Sequence, residues 1–305
     1  MVYTVTFNPA IDYVIRVGKL KPGSVNRSVS EQTFCGGKGI NVSIVLNELG
    51  IRSKALGFIA GFTGKAIEDG MRSKGIETDF VELPEGCSRI NVKIKSDEET
   101  DINGGGPGIP AEALDKLYEK LDSLRDGDVL VLAGSVPDSL PSDVYEKILA
   151  RLSGKKIKTV VDAAKDLLLN VLKYEPFLVK PNDDELGEMF GAELKSVDDI
   201  VYYAGKLKEM GAANVLVSMA GDGAVLLDEN GTLHKCGACR GVVKNSVGAG
   251  DSMVAGFIAG LRDDGIEYAL KLGTAAGGAT AFSDDLAKKD DIYELLKQLN
   301  LESGG

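Results

Sequence analysis

Asn245-Ser246-Val247-Gly248-Ala249-Gly250-Asp251 runs directly into the apolar Ser252-Met253-Val254-Ala255-Gly256-Phe257-Ile258. A glycine-rich loop that opens a buried helix leaves free N–H groups and the positive end of the helix dipole aimed at one spot, which favours an anion. Asp251 at that spot is stabilised in its charged form and could accept a proton from an attacking hydroxyl. Taken alone it also reads as an ordinary helix-start acid behind a glycine turn. The loop is not one of the commoner nucleotide fingerprints. A dinucleotide GxGxxG counted from Gly248 needs glycine where Met253 stands. Gly64-Lys65-Ala66 fails as a Walker loop, because Ala66 has no hydroxyl for magnesium and Ile59 occupies the first glycine position. A different nucleotide-binding fold is required.

Upstream of that loop, from about Ala111, short apolar runs alternate with helical patterns. Asp128 to Ala133, Lys158 to Asp162, Phe177 to Lys180 and Asn214 to Ser218 are near-continuously apolar, as strands covered on both faces are. Ala111 to Leu124, Ser142 to Leu152 and Val197 to Met210 carry apolar residues at helical spacing. The alternation predicts right-handed βαβ units and an α/β fold with a mostly parallel sheet between helices.

The first hundred residues break the rhythm. Asp12 to Val17 alternates, Val25 to Phe34 is mixed polar, and Ile90, Val92 and Ile94 alternate with Asn91, Lys93 and Lys95. Such segments suit half-buried strands, and they predict a small antiparallel sheet projecting from a single α/β domain over 1–305. Because the helical stretch Ile40 to Leu49 interrupts them, this lid is discontinuous, built from about 12–35 and 87–103. Gly104 to Gly108 reads as a loop.

Composition narrows the chemistry. Among 305 residues, 46 acidic against 35 basic give a net charge of −11, which offers no global attraction to nucleic acid or an anionic membrane. His234 is the one histidine, so a Ser-His-Asp hydrolase or a multi-histidine metal centre would have to be built on it alone. The four cysteines are too sparse for a disulfide scaffold, and 38 glycines suit the close backbone approaches of phosphate sites. Met1 to Asp12 lacks a basic start and an unbroken apolar run. Ser252 to Leu261 and Leu272 to Ser283 fall short of the ~20 residues that span a bilayer, so the expectation is a soluble cytoplasmic protein.

Three further motifs bear on ligands. Gly36-Gly37-Lys38-Gly39-Ile40-Asn41-Val42-Ser43 leads into a helix, with glycines that let backbone approach a ligand, a cation in Lys38, and Asn41 about one turn in. Asn182-x-x-Glu185 is at once a capping-box pattern, which needs no metal, and a candidate magnesium carboxylate. His234-x-Cys236-x-x-Cys239 has three competent zinc ligands and no fourth nearby, in a hairpin-like connection from Ala224 to Val243. Thiols without a special role are the simpler reading.

Gly36 to Ser43 and Asn245 to Gly256 resemble the two signatures of the ribokinase-like, or PfkB, carbohydrate kinases, in that family's order, and Lys180-Pro181-Asn182 with Glu185 resembles its Asn-x-x-Glu motif. Thr6 to Asp12, Arg89-Ile90-Asn91-Val92-Lys93 and Thr100-Asp101-Ile102-Asn103 are similar to the branch that acts on ketohexose phosphates. The resemblance covers nearly the whole chain. It implies a ribokinase-like fold and transfer from ATP with Mg²⁺ to a hydroxyl of a sugar phosphate: fructose 1-phosphate first, tagatose 6-phosphate as the alternative. Asp251 would be the base, with the amides of Ala249, Gly250 and Asp251, after Gly248, forming the anion hole. Asp12, Gly37 and Asn41 would hold sugar hydroxyls, while Lys38, Arg89 and Arg27 would hold the substrate's phosphate. Lys180, Asn182, Ser218, Gly221, Gly223, Ala276 and Ser283 fall to the nucleotide, and Glu185 to magnesium through water. Ser135 matches a family Gly-Ser-x-Pro turn with Asp138 in place of the usual residue, and its role stays open. A homodimer joined through the lid is expected. Two other readings remain: a non-catalytic sugar-phosphate sensor on the same fold, and a nucleotide-binding structural protein.

Overall fold

The computed structural model describes residues 1–302. The chain begins β1 (Val2–Thr6), β2 (Ala10–Arg16), β3 (Ser30–Gly36), α1 (Lys38–Glu48), β4 (Ser53–Ile59), α2 (Gly61–Ser73), β5 (Glu77–Thr78), β6 (Val81–Glu82), β7 (Arg89–Lys95) and β8 (Thr100–Asn103). It continues α3 (Ala111–Asp122), β9 (Val129–Ala133), α4 (Val144–Leu152), β10 (Lys158–Asp162), α5 (Asp166–Leu169), β11 (Leu178–Val179), α6 (Asp183–Phe190), α7 (Val197–Glu209) and β12 (Asn214–Ser218). The hairpin β13 (Ala224–Leu227) and β14 (Leu233–Cys236) precedes α8 (Ala249–Asp263), α9 (Gly265–Ala281) and α10 (Lys289–Glu302).

The central sheet runs β14-β13-β12-β11-β10-β9-β1-β4-β5, with β6 also on β4, and is parallel except for β12-β13-β14. Its strands are apolar on both sides because both sides are covered. Val131 and Ala133 of β9 face α1, α2, α8, α9 and α10, while Leu130 and Leu132 face α3, α4 and α7. From β1 the chain builds outward to β4 and β5, then returns to the other side of β1 through β9. The strand order therefore reverses between β1 and β9, and a ligand crevice is expected at their carboxyl ends.

A second sheet, β3-β2-β7-β8, stands off the first. Its outer pairs are antiparallel and its middle pair β2/β7 is parallel. The reason is topological: β2 and β7 run outward side by side, and β3 and β8 return. The strand expected over Val25 to Phe34 is instead Ser30–Gly36, since 21–33 is exposed and its first part forms no strand. Likewise Phe177 to Lys180 contracts to Leu178–Val179.

Candidate active site

Asp251 lies in the first turn of α8, whose cap Gly248 sits at φ +82°, a left-handed conformation that side chains strain to adopt. The carboxylate is 4% exposed, and its Oδ2 accepts a 2.8 Å hydrogen bond from Asn41 Nδ2 in the first turn of α1. The two signature motifs thus meet side chain to side chain. Of the three expected anion-hole amides, that of Ala249 donates to the Ser246 carbonyl at 3.2 Å. Those of Gly250 and Asp251 have no acceptor among the described residues, as the first N–H groups of any helix do, and are open to an anion.

Three more charges converge on this spot. Asp162, the last residue of β10, is buried and lies 3.3 Å from Lys38 Nζ and 3.5 Å from Lys180 Nζ. A Cβ added to Gly250 would stand 3.1 Å from that Lys180 ammonium, so the cation sits directly beneath the head of α8. Burial, then the nearby Asp162 charge, pushes the Asp251 carboxyl up to about 6, against the pull of Lys38, Asn41 and Lys180. Burial alone would lower the Lys38 ammonium, but Asp162, Asp251 and Glu185 outweigh it and raise its affinity for the proton. A base poised near neutrality beside fixed cations is what proton removal from a hydroxyl requires.

A cavity of about 650 Å³ opens where the strand order reverses, lined by Thr6 and Phe7 at the end of β1, Ala133 to Asp138 at and beyond the end of β9, and Ala163 after β10. Lys38, Arg89, Gly37 and Ser135 all line it. Burial lowers the Arg89 guanidinium and Asp12 partly offsets this; from so high a starting value it stays cationic, its Nε donating to the Asn8 carbonyl at 3.1 Å. Asp12 and Asn41 line a smaller adjoining recess of about 50 Å³ between the small sheet and the loop of Asn245 and Val247.

Two residues beyond Lys180, Asn182 begins a full capping box with Glu185. Asn182 Oδ1 accepts from the Glu185 amide at 2.6 Å, and Glu185 Oε2 accepts from the Asn182 amide at 2.9 Å. A cap of this kind contributes about 1 kcal/mol. Glu185 Oε1 has no protein donor among the described residues, so a metal could use it. Among those residues no group of three or more metal-competent side chains gathers, so Mg²⁺ would take its remaining ligands from phosphate and water, as it commonly does. Asn182 pairs with Ser218 in an isolated bridge, which brings the ends of β11 and β12 together beside the Gly221 turn. Gly223, at φ +91°, comes so close to the Cys236 carbonyl that a Cβ would stand 2.2 Å from it.

A scan of known families matches residues 5–289 to the pfkB family carbohydrate kinases. The chain belongs to that family. It is 46% identical to a 1-phosphofructokinase of Bacillus subtilis over 99% of both chains, and 38% identical to a D-tagatose-1-phosphate kinase of Bacillus licheniformis over 99% of both. Phosphofructokinase-2 from Escherichia coli, solved in complex with substrates and products, superposes with a TM-score of 0.92 at 25% identity, covering 98% of this chain and 99% of that one. The family fold, the mostly parallel sheet with a small second sheet, agrees with the sequence reading.

Several expected site residues stand elsewhere. Ala276 is fully buried against Gly256 of α8, where a Cβ would meet it at 2.9 Å, so it packs two helices together. Ser283 hydroxyl turns back to the Ala279 carbonyl at 2.8 Å at the end of its own helix. Arg27 lies on the exposed segment before β3 and does not line the cavity that holds Lys38 and Arg89. Lys180, expected on the nucleotide, is a buried partner of Asp162. His234 Nε2 meets Asp228 Oδ2 at 2.9 Å, and Cys236 is buried in the core. The sequence reading missed Asp162. The one sequence signal for Asp162 was its place at the carboxyl end of a parallel strand, where such sheets put ligand groups.

Proposed function

We propose that this sugar-phosphate kinase transfers a phosphoryl group from ATP to the 6-hydroxyl of fructose 1-phosphate, giving fructose 1,6-bisphosphate. The observation that carries the proposal is Lys38: it lines the 650 Å³ cavity with Arg89 and also stands among Asp162, Asp251 and the head of α8. A substrate phosphate between Lys38, Arg89 and Ser135 puts the far end of a hexose near Asp251. Arg89 makes no ion pair among the described residues, and a neutral sugar would leave that half-buried cation without a counter-charge. The Bacillus licheniformis relative is named for a substrate with its phosphate on the same carbon, differing from fructose 1-phosphate in the sugar alone.

In this mechanism Asp12, Gly37 and Asn41 hold the sugar hydroxyls and turn the 6-hydroxyl toward Asp251, which takes its proton. The amides of Gly250 and Asp251 receive the transferring phosphoryl group, with Lys180 beneath them. Asn182, Ser218, Gly221 and Gly223 line the path of the nucleotide. Glu185 would hold Mg²⁺, which when bound would neutralise phosphate charge. Positioning and fixed charge do most of the work in such a reaction.

The small sheet closes over the sugar as a lid. Its inner face bears Asp12, Val14, Arg16, Lys93 and Lys95, which line the recesses above the loop 243–247. Its outer face, by strand alternation, bears Tyr13, Ile15, Val92, Ile94, Ile90 and Ile102, the last two 41% and 58% exposed. A bare apolar sheet face is a liability, and a homodimer covers it with the same face of a second copy. Light scattering at micromolar concentration should give a dimer, and Ile102→Glu a monomer. No helix among the described residues is long and apolar enough to cross a membrane. ATP and phosphorylated sugars place the reaction in the cytoplasm.

The test is coupled ADP release with fructose 1-phosphate, D-tagatose 1-phosphate, fructose 6-phosphate, tagatose 6-phosphate and free fructose. Fructose 1-phosphate should give the highest kcat/KM and free fructose negligible turnover. A best rate with free fructose would remove the phosphate pocket from the account, and binding without ADP release would return the protein to the sensor reading.

A further inference from the structure

We propose that Asn91 is a specificity-determining residue that accepts a hydrogen bond from a ring hydroxyl of the sugar phosphate. The inference rests on the sugar-phosphate reading above. Asn91 of β7 stands opposite Asp12 of β2 in the parallel register, and its Nδ2 donates to Asp12 Oδ1 at 2.7 Å. The residue is 7% exposed, and its Oδ1 is buried with no hydrogen-bond partner among the described residues. Turning the amide around would set Oδ1 against the Asp12 carboxylate, acceptor against acceptor, so Asp12 fixes the orientation. What is left over is a buried acceptor that only a donor from outside the chain can answer.

Its place on the strand says which donor. Arg89, Asn91 and Lys93 share one face of β7. Arg89 lines the 650 Å³ cavity, and Lys93 lines the small recess with Asp12 and Asn41. Asn91 therefore stands on the strand between the cation of the larger cavity and the recess of Asp12 and Asn41, just beneath the surface of both, and a sugar spanning the two would lie over it. Asp12 is an acceptor and Asn91 Oδ1 is an acceptor beside it. Two neighbouring acceptors call for two neighbouring donors, and a vicinal diol of a ketohexose supplies them. A sugar phosphate that lacks one of those hydroxyls, or carries it on the opposite face of the ring, leaves Asn91 unpaired and is disfavoured.

The test is a cycle that crosses residue with hydroxyl. Asn91→Ala and Asp12→Ala are each assayed with the best acceptor of the panel above and with its 3-deoxy and 4-deoxy analogues. Asn91→Ala should lower kcat/KM for the full substrate roughly 10-fold or more, the ordinary worth of one buried hydrogen bond, mainly through KM. For one deoxy analogue the loss should be about 10-fold smaller, because the hydroxyl half of the bond is already absent and only the donor that Asn91 gives Asp12 is removed. Asp12→Ala should be insensitive to a different hydroxyl. Asn91→Leu, near-isosteric and without polar atoms, repeats the cycle in a filled site if the alanine variant does not fold. An equal loss with every analogue, or the same insensitive hydroxyl for both residues, would overturn the proposal and leave Asn91 as a support for Asp12. Failure of fructose 1-phosphate itself registers in the panel and not in this cycle.

Discussion

Replacing Asp251 with asparagine should cripple the enzyme and stabilise the fold, and the second effect should depend on pH in a stated direction. The carboxyl is pushed from its ordinary 3.8 up to about 6 by burial and the Asp162 charge. For an acid raised on folding, ionisation is what the fold resists. The cost is absent below about pH 4, grows between about 4 and 6, and is complete above. At roughly 1.4 kcal/mol per unit the full cost is about 3 kcal/mol. The substituted amide keeps the shape and offers Asn41 an oxygen in place of the carboxylate. Denaturant melts of parent and Asp251→Asn at pH 8 and at pH 4 measure the difference directly, and any steric penalty cancels between the two. The variant should gain up to about 3 kcal/mol at pH 8 over its value at pH 4, while turnover falls at least ~100-fold. An equal stability difference at the two pH values would refute the charge argument. Near-normal turnover would return Asp251 to an ordinary helix-start acid.

Asp162→Asn leaves burial alone to oppose Lys38 and Lys180 at Asp251, so the acid limb of kcat/KM, expected near pH 6 in the parent from the Asp251 carboxyl, should move down by about one unit; an unmoved limb would contradict the placement of Asp162. Glu185→Gln should raise the Mg²⁺ concentration needed for half-maximal rate several-fold while thermal stability changes little, because the amide oxygen can still serve the Asn182 amide; equal Mg²⁺ titrations would leave Glu185 a cap alone. Arg16 of the small sheet pairs with Asp284 beyond α9 at 2.9 Å, both well exposed, so Asp284→Ala should alter stability by less than ~1 kcal/mol yet raise KM for the sugar phosphate and flatten its salt dependence; an unchanged KM would show that the pair does not hold the small sheet over the site.

Much of the fold was legible because burial writes itself into sequence most plainly where it is two-sided. β10 and β12 fall on Lys158–Asp162 and Asn214–Ser218, as expected, since both their faces are covered and the apolar run ends where the cover ends. The meeting of Asn41 with Asp251 was legible in a different way, as two motifs each shaped for an anion. Asp162 was not, because a lone acid at the end of a strand acquires its meaning only when Lys38 and Lys180 arrive from distant elements. Ala276 was hard to place for the opposite reason. It lies in a run of α9 buried from Leu272 to Gly277, and such a sequence does not say which residue borders a ligand and which another helix. Asn91 hid in plain alternation, where only the missing partner of one oxygen sets it apart.

The central claim is that a phosphate already on the sugar is gripped by Lys38 and Arg89 while Asp251 activates the hydroxyl at the other end. Phosphorus NMR of a reaction holding the protein, MgATP and fructose 1-phosphate tests this most directly. Each ADP formed should be matched by one new phosphomonoester at C6, the C1 phosphate remaining in place. ADP matched by inorganic phosphate with the sugar unchanged, or no turnover at all, would contradict it.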